Sequence, residues 1–405
     1  MMISVEEARG RILTGLAVLP AEQVVLTDAL GRVLAADLVA RTTQPPAPVS
    51  AMDGWAVRAA DVATVPCRLR VAGYVAAGQH FDGTVGPGEA VRIFTGAPVP
   101  AGADAIVIQE DADHEGDSVA VREAVTAGRY VRRAGLDFRA GDVGARAGSL
   151  VGPRTVGLAA AMNVPWLKVH RRPRVAILPT GDEIVMPGEP IGPSQIVSSN
   201  ALALAAFVRQ MGGEPVDLGI ARDDRASLAA LAAAARGCDL LVTTGGASVG
   251  EHDLVRSVLG EAGLELDFWQ IAMRPGKPLM FGRLHGTPML GLPGNPVSAL
   301  VCAVLFLRPA MARLSGMHDL PAGDEQAVLG ADLAANDRRQ DYLRATLDRT
   351  PDGHLRATPF PTQDSSNLSR LVAADCLVVR APHAPPAAAG EPVRIVRLAG
   401  MFGGL

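Results

Sequence analysis

Between residues 173 and 320 the sequence alternates two textures. Short apolar runs (RVAILPT, EPVDLGIA, CDLLVTTGG) are each followed by a stretch with apolar residues at helical spacing (SSNALALAAFVRQMGG, DRASLAALAAAARG, GEHDLVRSVLGEAG). Three more strand-like runs, LDFWQI, PLMFG and PMLGL, lead into the long apolar stretch NPVSALVCAVLFLRPAMARLSG. Strands alternating with helices predict a parallel sheet covered on both faces, the doubly wound α/β arrangement. Arg308 and Pro309 interrupt the last helix, which therefore reads as buried core and not as a membrane span.

The remaining sequence needs other folds. A chain of 405 residues predicts roughly two to four domains. Residues 1–44 begin with a helix, capped by Ser4 with Glu7 three residues on, and continue as short extended pieces. After the linker TTQPPAPVS, residues 45–136 carry short strands (GYVAAGQ, EAVRIFTG, DAIVIQED, SVAVREAV) separated by glycine and proline turns, which predicts a small antiparallel barrel or sandwich. Residues 137–172 return to a helix and are expected to join residues 1–44 in a discontinuous linker domain. Residues 321–405 hold YLRATL, HLRATPF, CLVVRAP and EPVRIVRL, a second small β domain.

Composition excludes several partners and chemistries. A net charge of −4 gives no basic footprint for nucleic acid. The N-terminus lacks a signal-peptide pattern and no run approaches the roughly 18 uninterrupted apolar residues of a membrane span, so a cytoplasmic protein without a membrane partner is expected. The four cysteines are scattered, with no CxxC or Cys/His cluster, which argues against zinc and iron–sulfur sites. GxSxG, HExxH and the Walker sequence GxxxxGK[ST] are absent.

Ligands of open α/β sheets bind beyond the carboxyl ends of the strands. Five strand ends here carry glycines, hydroxyls, carboxylates and one lysine: TGDE (Thr180, Gly181, Asp182, Glu183), RDD (Asp223, Asp224), TTGGASVGEHD (Thr244, Gly245, Gly246, Ser248, Asp253), RPGKP (Arg274, Gly276, Lys277) and PGNP (Pro293, Gly294, Asn295, Pro296). Glycines with adjacent hydroxyls entering a helix suit an anion. Clustered carboxylates beside an anion site suit Mg²⁺ bridging protein and a phosphorylated ligand. Among 38 lysines and arginines only Lys168 and Lys277 are lysines, so RPGKP stands out. A compact ammonium on a turn stiffened by two prolines fits a small oxyanion better than arginine's planar fork does.

Taken in order, PVSAMDGWAV, FTGAPVPAGADAIV, LPTGDEIV, SSNALAL, GIARDD, TTGGASVGEHD, RPGKP and GLPGNPVSA closely resemble the molybdopterin molybdenumtransferases, the MoeA-type enzymes related to the C-terminal part of gephyrin. The resemblance runs from about residue 5 to the C-terminus and is looser after residue 320. It implies a multidomain α/β plus β fold: a doubly wound α/β molybdopterin-binding domain (173–320), an inserted small β domain (45–136), an elongated linker domain (1–44 with 137–172) and a C-terminal β-barrel (321–405). It also implies Mg²⁺-dependent insertion of molybdenum from molybdate into adenylyl-molybdopterin, releasing AMP.

The resemblance further implies a homodimer, with the site between one subunit's α/β domain and its partner's N-terminal segments. Other proteins of molybdenum-cofactor biosynthesis, or molybdoenzymes, are implied as further partners. Asp53, Thr95, Glu183, Asp223, Asp253 and Lys277 match catalytic positions. Arg132 and Asp137, together with the TGDE, TTGG, RPGKP and PGNP residues above, match substrate-binding positions. Asp223, Asp253 and Glu183 are the implied Mg²⁺ ligands. One departure is visible: a glycine-rich QGSG-like turn is usual in the C-terminal domain, where this chain has QDSSN, so that either Ser365 or Ser366 would take the place of the family serine. Two alternatives keep the fold and change the function: an ATP-dependent molybdopterin adenylyltransferase, and a non-catalytic gephyrin-like scaffold.

Overall fold

A computed structural model describes residues 2–245, 254–318 and 324–398. The chain separates into two compact units, residues 1–36, 147–154 and 168–405 forming one and residues 37–146 and 155–167 the other.

In the first unit a six-stranded sheet runs in the order Glu214–Asp217, Arg174–Pro179, Leu240–Thr244, Thr287–Leu292, Pro278–Leu284, Leu264–Gln270. The first four strands are parallel, and the last two add antiparallel neighbours. Helices Asn200–Gln210 and Pro296–Cys302 pack on one face, with Leu204, Phe207 and Val301 in a single core with Ile177 and Leu290. Helix Arg225–Ala233 covers the other face through Leu228 and Ala232. The N-terminal helix Val5–Thr14 joins the first core through Val5, Ala8 and Ile12, one stripe at helical spacing. Its predicted cap is half formed: the Ser4 hydroxyl accepts from the Glu7 N–H at 3.0 Å, while the Glu7 side chain turns to Arg11 at 2.7 Å.

The apolar C-terminal helix of this region runs from Pro296 to Leu314 and is long and apolar enough to cross a membrane, yet 89% of it is buried inside the protein. Pro309 does not end it. A π-helical turn, Ala303–Leu307, precedes the proline and absorbs its missing N–H, a common way to carry a helix past such a position.

The five strands Gln340–Arg349, Leu355–Pro359, Asp324–Leu329, Pro392–Arg397 and Cys376–Arg380 close into a barrel, because the first also pairs with the last. Small residues such as Ala345, Ala357 and Cys376 fill its interior. A short strand, Met273–Arg274, pairs with Gln340–Asp341 of the barrel. The stretch RPGKP thus joins the α/β sheet to the barrel.

The second unit holds a six-stranded sheet in the order Ala105–Ile108, Gly54–Val57, Glu89–Ile93, Cys67–Val75, Ser118–Val121, Ala112–Glu115. It is mixed where an antiparallel barrel or sandwich was expected. Strands Cys67–Val75 and Glu89–Ile93 run parallel, since residues 76–88 carry the chain back across the sheet before it pairs again. Both faces are buried, one around Trp55, Leu69 and Val107, the other around Val75, Val91 and Ile106.

Candidate active site

At the carboxyl ends of the parallel strands the first unit encloses a cavity of about 660 Å³. Four prolines (Pro179, Pro278, Pro293, Pro296) give it a stiff apolar wall, and Thr180, Glu183, Asn200, Thr244 and Asn295 supply its polar groups. Ser366 and Leu368, from the QDSSN turn and the short helix after it, also line it.

The loops are knitted by hydrogen bonds that fix side-chain direction. Thr180 N–H donates to the Thr244 carbonyl at 2.9 Å. The Asn200 amide donates to Thr244 Oγ1 at 3.0 Å and to the Gly294 carbonyl at 2.6 Å, which leaves its Oδ1 without a partner. Thr180 Oγ1 and Thr243 Oγ1 are likewise buried and unpaired among the described residues. Buried polar atoms are rarely left so; Thr180 and Asn200 line the cavity, where such atoms mark the place a ligand's groups complete the network, while Thr243 is not part of the lining. Gly245 has φ +97°, and a Cβ there would lie 2.4 Å from the Thr180 carbonyl oxygen. Only glycine fits this close approach of two strand ends. Gly246, Ser248 and Asp253 lie outside the described residues.

Asn295 donates to Ser365 Oγ at 2.9 Å and Val297 N–H to the Ser365 carbonyl at 3.2 Å, which ties the QDSSN turn to the PGNP turn. Ser365 is therefore at the cavity's edge, through Asn295, and its neighbour Ser366 is on the wall. Pro296 opens the long helix, as expected for a proline at a first helical position.

The carboxylates divide. Asp224 caps helix Arg225–Ala233, accepting from Ser227 N–H at 2.8 Å. Asp182 and Asp223 face each other across two loops: Asp223 N–H donates to Asp182 Oδ1 at 3.2 Å and Asp182 N–H to Asp223 Oδ2 at 3.4 Å. The Glu183 carboxylate folds over Gly181, whose Cβ, if present, would meet it at 2.2 Å. Oxygen donors of this kind suit a hard divalent cation. Among the described residues, however, no group of three or more His, Cys, Asp or Glu side chains is close enough to hold a metal ion. A complete set would need a donor beyond them.

Arg274 and Lys277 part company. The Arg274 guanidinium grips the Asp341 carboxylate with two hydrogen bonds and lies 3.6 Å from Asp337. It holds the barrel to the RPGKP turn and raises its own already high pKa by that pairing. Lys277 is half-buried between Gly276 and the cavity-lining Pro278, without an ion-pair partner among the described residues. Gly276 has φ +110°, and a Cβ there would strike Cys302 Sγ at 2.6 Å.

One strong feature escaped the sequence. Arg344 is fully buried, and all three of its guanidinium nitrogens lack a hydrogen-bond partner among the described residues. Its backbone is locked to Gln363 by bonds of 2.9 and 3.0 Å, so it sits beneath the QDSSN turn. Burial pulls its pKa down, and the charge of Asp364 offsets this only in part. The tetrapeptide LRAT occurs twice, at 343–346 and 355–358. In the second copy Arg356 pairs with Asp348 on the surface. Only the barrel geometry distinguishes the two arginines.

In the second unit, Asp53 and Thr95, 42 residues apart, meet: Asp53 Oδ1 accepts from Thr95 N–H and from Thr95 Oγ1, each at 2.8 Å. These bonds, the backbone one foremost, lower the Asp53 pKa below the usual carboxylate range. Arg132 and Asp137 of the same unit are exposed. Burial raises the pKa of all four cysteines, so none is primed as a thiolate nucleophile.

Three family models match the chain in succession: the MoeA N-terminal region (domain I and II) over residues 3–163, the probable molybdopterin-binding domain over 176–313, and the MoeA C-terminal region (domain IV) over 326–398. Molybdopterin molybdenumtransferase 2 of Mycobacterium tuberculosis is 42% identical over 335 residues, covering 80% of this chain and 83% of the relative. Molybdopterin molybdenumtransferase of Haemophilus influenzae is 33% identical and covers 97% of this chain and 98% of its own length. Among solved structures, a molybdopterin biosynthesis MoeA protein from Pyrococcus horikoshii superimposes with a TM-score of 0.85, at 32% identity and full coverage of both chains.

Proposed function

The chain belongs to the MoeA family of molybdopterin molybdenumtransferases, and from that membership we propose that it transfers molybdenum from molybdate to the dithiolene sulfurs of adenylylated molybdopterin, releasing AMP. It is a transferase of molybdenum-cofactor biosynthesis. The observation that carries the reading is a cavity at the α/β strand ends with buried polar atoms that lack partners among the described residues; Lys277 adjoins its lining residue Pro278, and the buried Arg344 lies beneath the turn that carries its lining residue Ser366.

The substrate brings its own sulfurs, so the protein has to hold two anions and move one proton. Lys277 and Arg344 are the cations we assign to oxyanions, molybdate or the adenylate phosphate. Thr180, Thr244, Asn200 and Asn295 orient the ligand by hydrogen bonds, and the proline wall excludes water around it. In the reaction, water attacks the adenylate phosphorus and the phosphoanhydride breaks, leaving AMP and molybdopterin phosphate. Glu183, folded over Gly181 at the cavity wall, is our candidate to accept the water's proton. The two thiols then bind molybdenum, and their two protons leave with one oxo group of molybdate as water.

Mg²⁺ belongs to the proposal as well. Asp223, Asp253 and Glu183 are the residues we assign to it, and when bound it would polarise the adenylate phosphate. Asp53, Thr95, Arg132 and Asp137 are proposed to serve the site from the partner chain of a cytoplasmic homodimer. We also propose four domains: residues 1–44 with 137–172, 45–136, 173–320 and 321–405.

Purified protein given adenylyl-molybdopterin, molybdate and Mg²⁺ is expected to release AMP and form active cofactor, measured by reconstitution of a cofactor-free molybdoenzyme. Folded dimer that leaves the adenylate intact would sink the reading. Omitting Mg²⁺ with a chelator present tests the metal separately.

A further inference from the structure

One face of the second unit's sheet ends in a ladder of planar groups. The strand registers set Trp55 opposite Arg92, and Arg92 opposite Tyr74, so these side chains share a face. Continuing the same registers by one residue puts Asp53 opposite Phe94 and Gln109. The rings are in contact along this line. Tyr74 and Phe94 lie 5.1 Å apart between centroids, and the Arg92 guanidinium lies 4.8 Å from Phe94 and 5.3 Å from Trp55. His114 closes the far end, 4.9 Å from Trp55. Within the ladder Trp55 is buried, only 3% accessible, His114 beyond it is exposed, and Tyr74 at the other end is 57% accessible.

We propose that the open end of this ladder, formed by Tyr74, Phe94 and Asp53, binds the pterin ring system of the substrate. This deepens the reading given above and rests on it. Three features identify the ligand as a flat heterocycle with adjacent N–H donors. Tyr74 and Phe94 offer aromatic surface, and base-like rings stack on such surface with substantial gain. Asp53 is aimed and stiff, because its Oδ1 is held twice by Thr95, yet its Oδ2 has no partner among the described residues. Arg92 is held in place by donating to the Gly54 carbonyl at 3.1 Å and to Gln109 Oε1 at 2.8 Å, and Asp53 Oδ2 is the carboxylate acceptor left open beside the rings.

A pterin presents a ring N–H beside an exocyclic amine, two donors on one edge, and a carboxylate oxygen complements that edge. Adenine, the other ring of the substrate, alternates its exocyclic amine with ring acceptors and matches a carboxylate less well. The depressed pKa of Asp53 keeps it ionised at neutral pH, which suits a hydrogen-bond acceptor better than a proton-abstracting base.

The test uses the full-length protein with free pterin, whose own fluorescence is quenched on stacking, and with AMP as the competing ring. Wild type is expected to quench pterin saturably. Asp53→Asn keeps an oxygen for Thr95 and swaps the free acceptor for a donor; it should weaken pterin about tenfold, the size of one charge-assisted bond. Tyr74→Ala with Phe94→Ala should weaken it at least as much, and neither variant should change AMP binding. No saturable quenching by wild type, equal affinity in the variants, or a parallel loss of AMP binding would overturn the proposal. None of these readings needs turnover, so a protein that releases AMP from adenylyl-molybdopterin yet ignores pterin would fail this inference alone.

Discussion

Among the described residues Arg344 has no hydrogen-bond partner and Lys277 no ion-pair partner, and their substitutions should differ in what they do to stability. A buried guanidinium lacking hydrogen bonds destabilises the folded state, and replacing it by an apolar side chain of similar length relieves that cost. Arg344→Met is therefore expected to hold or raise stability, by about 1–3 kcal/mol, while AMP release falls by roughly a hundredfold through loss of an anion partner. Denaturant melts paired with single-turnover AMP release measure both; a variant that unfolds would show the guanidinium serving structure instead. Lys277 sits on a rigid turn where charge alone is not the requirement. Lys277→Arg keeps the charge and alters its shape, so molybdate-dependent turnover should drop by about tenfold or more with an unchanged melting temperature. Wild-type turnover in that variant would remove Lys277 from the site. The contrast with Arg274, which is spent on Asp341, shows how one turn of five residues divides a structural role from a chemical one.

Glycines show the same division among elements, and two of them predict effects of opposite sign. Gly54 follows Asp53 in a strand paired on both sides, and a Cβ there would lie 2.0 Å from the Val107 carbonyl oxygen. Both neighbours are backbone within a sheet and cannot yield without unpairing, so Gly54→Ala is expected to cost about 3 kcal/mol or more. Gly10 lies inside the exposed face of helix Val5–Thr14 with open space around it. Gly10→Ala should stabilise by about 0.5–1 kcal/mol, from helix propensity alone. Urea unfolding of both variants decides, and a neutral Gly54→Ala would mean that the strand pairing around Asp53 is looser than described.

These elements also mark where the sequence was readable. Alternating apolar runs identified the α/β sheet, and glycines at its strand ends identified the cavity, because close backbone approach leaves a trace in residue type. The SAMDGWAV and FTGAP strings pointed to Asp53 and Thr95 only through resemblance. That the two form one hydrogen-bonded pair depends on strand register, which no local pattern encodes. The parallel pair in the second unit and the burial of Arg344 stayed hidden for the same reason: long-range pairing decides each.

At the scale of the whole molecule, the candidate residues are carried on two separately packed units, with Asp53 and Thr95 on one and Lys277 and the cavity on the other. The homodimer we propose makes a definite claim about how these are combined. If each site draws Asp53 from one protomer and Lys277 from its partner, a two-fold dimer holds two equivalent sites. Asp53→Ala and Lys277→Ala homodimers should each be inactive. In a mixed dimer, one site would collect both defects and the other none. After subunit exchange at equal concentrations half the dimers are mixed and each has one intact site, so activity should return to roughly a quarter of wild type. The mass by sedimentation should be twice the 41.9 kDa of one chain throughout. If sedimentation shows exchange between differently tagged protomers but no activity returns, both residues act within one chain, and the trans assignment falls while the transferase reading stands. A monomer at working concentration would remove the arrangement altogether, since no second chain would be there to complete the site.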